Sequence, residues 1–166
     1  LKGRKDEEVP TQPVVCIPEG FISDTNMTSE DDVEIIYNND DFGLIVNTSN
    51  TRRKSETLLE RGDEINSAII RIGARTLKKG AVKLPGINAE EWLIKSKQDI
   101  YHPEEKIVPA YRFTFYGNEN VADLNHPVFS VELNNSGLET KTYTDSQLVD
   151  IWERITRTFK YRTGSA

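Results

Sequence analysis

The sequence predicts an α+β fold, an antiparallel sheet of about six strands with two amphipathic helices packed on it. Three observations carry this. Near the C-terminus Leu148, Ile151, Trp152, Ile155 and Phe159 recur at i, i+3, i+4, i+7 and i+11, an apolar stripe that a helix gathers onto one side. Between Pro109 and Tyr116, Tyr111, Phe113 and Phe115 alternate with Arg112, Thr114 and Tyr116, the period of a strand with two unlike faces. Around Asn38-Asn39-Asp40-Asp41, two apolar runs flank side chains that bond their own backbone and tolerate left-handed geometry, so the runs form a hairpin.

Taken in order, residues 1–13 read as a linker, with charges of both signs, Pro10 and Pro13, and no apolar period. The domain proper then spans 14–166. Val14 to Ile22 reads as a strand interrupted by Pro18, which suits an edge or a bulge. Val33, Ile35 and Ile36 give the first hairpin strand one buried face, and Phe42, Leu44 and Val46 alternate along the second. A polar loop carrying Arg52, Arg53 and Lys54 follows. The first helix is expected from about Glu56 to Ile72, opened by Thr57 with Glu60 as a capping box. Leu58, Ile65, Ile69 and Ile72 form its core stripe, and Gly73 ends it.

Gly73 to Trp92 organises the chain, with turns expected at Gly80 and at Pro85-Gly86 and a strand-like run from Glu90 to Lys97. Trp92-Leu93-Ile94 reads as buried strand, and Lys95 to Glu105 as a polar loop. Gly117 to Asp123 reads as a turn and Val128 to Leu133 as a half-wet strand. Thr144, with Gln147 three residues on, caps the last helix.

A net charge of −6 disfavours a nucleic-acid surface, and no apolar run approaches the length of a membrane span. The chain begins at Leu1 rather than Met, as a mature protein or a fragment would, so the lack of a signal peptide is silent about compartment. Catalytic chemistry is poorly supplied. His102 and His126 sit in polar loops beside prolines, no metal-ligand spacing occurs, and no Gly-x-Ser-x-Gly elbow is present. Gly80 is followed by Ala81, so Gly73 to Trp92 holds no phosphate loop. No cofactor is expected. Cys16 lies in an apolar strand, which favours packing over nucleophilic attack. Glu90-Glu91 would point to opposite faces of a strand and could not readily share a site.

Recognition is what remains. Between Glu19 and Asp41 the chain carries eight Asp or Glu residues and no Lys or Arg, whereas Arg71 to Lys83 is basic. Such blocks serve solubility, and they also steer a charged partner. Exposure and charge nominate Asp31, Asp32, Asp40 and Asp41 at the hairpin, and Arg52, Arg53, Lys78 and Lys79 in the loops, as partner-binding residues.

Three pieces of the chain carry a resemblance. They are Leu77-Lys78-Lys79-Gly80 followed by Leu84-Pro85-Gly86 and Glu90-Glu91-Trp92-Leu93, the opening Cys16-Ile17-Pro18-Glu19-Gly20-Phe21-Ile22, and the ending Ile151-Trp152-Glu153-Arg154-Ile155 through Tyr161-Arg162. In this order and spacing the chain resembles, over about Val14 to Gly164, the C-terminal domain of type VI secretion immunity proteins that neutralise phospholipase effectors. It departs from that pattern at Ala81-Val82-Lys83 and Ile87-Asn88-Ala89. The resemblance implies a non-enzymatic inhibitor, periplasmic, that occludes a secreted antibacterial lipase, and an N-terminal domain preceding this one. Two other classes stay open from the residues themselves: a carboxylate-dependent hydrolase of a carbohydrate or lipid, and a cell-envelope interaction module docking through the Leu148–Phe159 stripe.

Overall fold

The structure is a computed structural model that describes residues 2–3, 14–17, 20–23, 32–50, 55–99, 107–123, 126–135 and 143–160. Nine strands and two helices occur among them. They are β1 Lys2–Gly3, β2 Val14–Ile17, β3 Gly20–Ser23, β4 Asp32–Asn38, β5 Gly43–Ser49, α1 Gly62–Arg71, β6 Arg75–Leu84, β7 Ile87–Asp99, β8 Ile107–Gly117, β9 Val128–Asn134 and α2 Asp145–Thr156. Six strands form one antiparallel sheet in the order β4-β5-β9-β8-β7-β6, as the sequence predicts, and three form a small sheet, β1-β3-β2. Val14 to Ile22 is thus a hairpin across Pro18 rather than one interrupted strand. At the predicted linker, Lys2–Gly3 pairs with Phe21 and Gly20, while 4–13 lie outside the described residues.

The two helices cover opposite faces of the large sheet. Residues of one parity, Leu93, Tyr111, Phe113, Phe115, Val131 and Leu133, pack with Leu148 and Trp152 of α2. The alternate parity places Trp92 against Leu58 and Ile69 of the α1 region, with Ile94 and Tyr116 beside them. Because successive strand side chains point to opposite sides, β7 alone supplies the centre of both cores through Leu93 and Trp92. The apolar stripe of α2 therefore docks on its own sheet. Its capping box forms as expected, Gln147 N–H donating to Thr144 Oγ1 while the Gln147 side chain accepts from Thr144 N–H.

Further expectations are corrected. The first helix begins at Gly62, not Glu56. The reciprocal Thr57–Glu60 bonds do form, at 2.8 and 3.3 Å, but they close a separate turn. That turn is pinned from β7 and from the turn after β8, since Leu59 N–H donates to Glu90 and Leu58 N–H to Glu119, both at 2.7 Å. Ile72, expected in the core stripe, is 64% exposed because the helix stops at Arg71 and Ile72 caps it. Gly73 then takes φ +65°, the left-handed conformation anticipated there.

Gly80 makes no turn. It lies within β6 opposite Glu91, and the single reversal falls between Leu84 and Ile87, where Gly86 adopts φ +70°. Finally, β7 continues through the polar run to Asp99, paired with β8 as far as Ile107. Strand β9 ends at Asn134, and beyond it the Asn135 side chain stands in for the missing neighbour. Its Oδ1 accepts from Tyr111 N–H at 2.8 Å and its Nδ2 donates to the Pro109 carbonyl at 2.9 Å. A buried asparagine satisfied on both sides keeps the β8 backbone from being left unpaired. In β4 the single buried face is only partly realised, because Ile36 is 55% exposed.

Candidate partner interface

Those nominated residues that are described fall at the two edges of the large sheet. Asp32 begins β4, and Asp40 and Asp41 lie in the β4–β5 turn. That turn is built by Asn39, whose Oδ1 accepts from Asp41 N–H at 2.8 Å and Phe42 N–H at 2.9 Å. This self-bonding is the chemistry the sequence foretold, and it holds Asp40 out in solvent. Lys78 and Lys79, expected in a loop, lie instead on β6, paired with β7, at the other edge, five strand spacings away, or about 24 Å. Asp31, Arg52, Arg53 and His102 lie outside the described residues. Among the described residues, the acidic group at β4 and its turn and the two lysines of β6 therefore lie at separate edges and not in one patch.

The two lysines differ from each other. Lys79 is exposed and its ammonium stands over the Trp92 ring, 4.1 Å from the centroid. Lys78 turns to the α2 side, where it ion-pairs with Glu153 and with Glu91, the latter at 3.1 Å. The hydrogen bond to Glu153 raises its pKa.

Glu91 is the polar centre that the sequence did not reveal. It is 1% exposed beneath α2, in phase with Leu93 rather than Trp92. Both Arg157 nitrogens reach it at 2.8 Å, one to each carboxylate oxygen, and the Trp152 indole N–H donates to it at 3.1 Å. Burial pushes this carboxyl up, and the bonds from Arg157 and Lys78 more than reverse it, so its pKa lies below the ordinary 4.5. Glu90 faces the other way and accepts from Leu59 N–H, so the adjacent carboxylates share no site, as the strand geometry requires.

A second structural cluster holds the N-terminus of α2. Asp145 accepts from Lys95, Arg75 and the Tyr111 hydroxyl. Its carboxyl is pushed up by burial and pulled further down by Lys95 and Tyr111, ending below its ordinary value of 3.8. Glu119 likewise binds Arg61 and Leu58 N–H. These carboxylates thus tie elements together.

Glu91 and Asp145 carry a pH signature. Their folded pKa values lie below the unfolded ones, so the unfolded chain binds more protons in acid. Stability is fully present above about pH 4.5 and is lost as pH falls through the depressed values. Thermal midpoints measured between pH 7 and 3 are expected to drop in the acid limb, and Glu91→Gln is expected to flatten that limb. Parallel limbs for variant and wild type would show that Glu91 is not the group being titrated.

Two open depressions accompany these features. One, about 420 Å³, lies between α1 and the sheet, with Ile65, Ile72, Ile94 and Arg112 among its lining. The other, about 410 Å³, lies beside the β6–β7 turn and includes Lys83, Glu90 and Glu119. The carboxylates of the second are already bonded to Leu59 and to Arg61 with Leu58.

Comparison with known proteins gives structural neighbours that include type VI secretion immunity proteins. The immunity protein TplEi of the T6SS from Pseudomonas aeruginosa, in its apo structure, superposes with TM-score 0.69 at 19% identity, over 94% of this chain and 52% of that one. The Tle4–Tli4 complex gives 0.69 at 15% identity, over 94% and 53%. TplEi complexed with "L" peptide gives 0.65 at 18% identity, over 94% and 56%. At these identities the likeness establishes the fold, and the chain spans about half the length of the structures it matches. No curated protein matches the sequence. The profile of one family, described as the Tle cognate immunity protein 4 C-terminal domain, matches residues 8–164, nearly the whole sequence. The chain belongs to the Tle cognate immunity protein 4 C-terminal domain family.

Proposed function

We propose that this chain is a non-enzymatic immunity domain that binds a type VI secreted phospholipase effector in the periplasm and blocks it by covering its active-site entrance. The observation that carries the reading is the family match over residues 8–164, reinforced by the shared fold with a protein solved as the Tle4–Tli4 complex. The geometry supports it. A six-stranded sheet clamped by a helix on each face is a rigid support, and its charged edges are presented to solvent. The interface we assign comprises Asp31, Asp32, Asp40 and Asp41, with Arg52, Arg53 and Lys79; Lys78 is held by Glu91 and Glu153 and contributes less. Charge at such positions raises association rates, which suits capture of a toxin before it acts.

The hydrolase alternative draws no support from the buried carboxylates, since Glu91 is neutralised by Arg157 and Lys78. The test is co-purification with a Tle4-type lipase effector, taken from beside this gene where one is encoded there, followed by a phospholipase assay. A stable complex with turnover abolished at equimolar chain is the expected result. A lipase that ignores the chain, or that stays fully active while bound to it, would sink the reading.

A further inference from the structure

The two edges of the large sheet are built differently. Strand β6 bears Lys78, Lys79 and Lys83, has a register irregularity between Thr76 and Lys78, and contains Gly80 at φ +155°. Lysines and irregularities are the devices that stop a free edge from pairing with another chain. Strand β4 has neither. Its seven residues pair with β5 without interruption, from Asp32 opposite Ser49 to Asn38 opposite Gly43. Among the described residues β5 is its only neighbour, and none of them pairs with the backbone N–H and C=O groups of its other side.

The side chains of β4 add two further signs. Ile36 is 55% exposed and Tyr37 48% exposed, two large apolar groups adjacent on an outermost strand. Directly paired residues share a face, so Ile36 lies with Ile45, and Tyr37 lies with Leu44 on the α2 side. Asp32 and Glu34 share the Ile36 face, are exposed, and have no cation beside them among the described residues. A second copy of β4 laid along this edge would gather four such carboxylates, which disfavours self-pairing.

We infer that the free edge of β4 receives an extended segment of the partner as a seventh strand. That segment would carry lysine or arginine on the side facing Asp32 and Glu34 and apolar residues on the side facing Ile35 and Tyr37. Main-chain bonds would supply attachment, while the alternation of cationic and apolar side chains would supply selectivity. Burial of Ile36 and Tyr37 from both faces would lock the register. This rests on the reading of the chain as an effector-binding protein, and it specifies where and how the effector is held.

Hydrogen exchange on the whole chain, alone and mixed with the neighbouring lipase, tests it together with the variant Asp32→Lys/Glu34→Lys. On complex formation the outward amides of residues 32–38 are expected to slow by at least about tenfold, while those of α1, residues 62–71, keep their rates. The charge reversal is expected to weaken association by about tenfold or more, with circular dichroism and thermal midpoint showing that the variant is folded. Association with unaltered β4 exchange overturns strand addition and leaves the inhibitor reading standing, even if the reversal weakens binding. Absence of any association overturns both.

Discussion

Replacing Glu91 by alanine is expected to lower the stability of the chain by about 2–4 kcal/mol, the range for removing one partner of a buried ion pair when the others retain some access to water. Three donors lose their acceptor at once: the Arg157 guanidinium, the Trp152 indole and the Lys78 ammonium. Arg157 and Lys78 are 34% and 41% exposed and can rehydrate in part, which keeps the cost below that of a fully enclosed pair. A fall in thermal midpoint of roughly 5–15 °C would accompany it. Replacing both ends by apolar residues of similar volume, Glu91→Met with Arg157→Leu, is expected to cost much less than the single change, because no charge is stranded. Urea denaturation of the three proteins decides the matter. If Glu91→Ala stays within about 0.5 kcal/mol of wild type, the network does not hold α2 to the sheet.

Trp152→Ala is expected to be larger still, about 3–5 kcal/mol. Trp152 is fully buried, stands edge-on to Phe113 with centroids 5.8 Å apart, and donates to Glu91. The change removes the largest side chain by which α2 reaches the sheet and also strips one bond from the buried carboxylate. Since the two sites share that bond, the double variant with Glu91→Ala should lose less than the separate losses predict. Near-ultraviolet circular dichroism with urea unfolding provides the readout. A stable, natively packed Trp152→Ala protein that fails only to bind its lipase would instead place this stripe in an interface.

Some of this was open to inspection in the sequence. Helix α2 was legible because its period and its Thr144–Gln147 cap are local signals that agree. Strand β8 was legible because one face is aromatic and the other polar. The Asn39 turn was legible because its chemistry is contained within four residues. What was hidden depends on distant partners. The polar stretch Lys95–Asp99 stays in strand because β8 runs alongside it, and Lys95 is held by Asp145. Helix α1 starts late because Glu90 and Glu119, remote in sequence, bond the turn before it.

The acidic and basic blocks could be read as composition, but the placement of Asp32, Asp40 and Asp41 at one edge and of Lys78 and Lys79 at the other needed the strand order. Glu91 left one faint trace, a charged residue in phase with Leu93 on an otherwise buried strand face. Its cations, Arg157 above all, come from a helix that local spacing cannot connect to it.

The pairing of β5 with β9 fixes the order in which this protein can be assembled. The β4–β5 hairpin reaches the large sheet only through β9, and the paired residues are roughly 80–90 positions apart in the chain. A ribosome must therefore release most of the polypeptide before the hairpin acquires its place, while β6, β7 and β8 pair with their sequence neighbours as they emerge. Closing so long a loop is slow, and the rate of folding will be governed by that event rather than by the hairpins. Until then β5 and β9 are both unpaired edges, so the growing chain is at its most vulnerable to misassociation before its acidic hairpin is anchored.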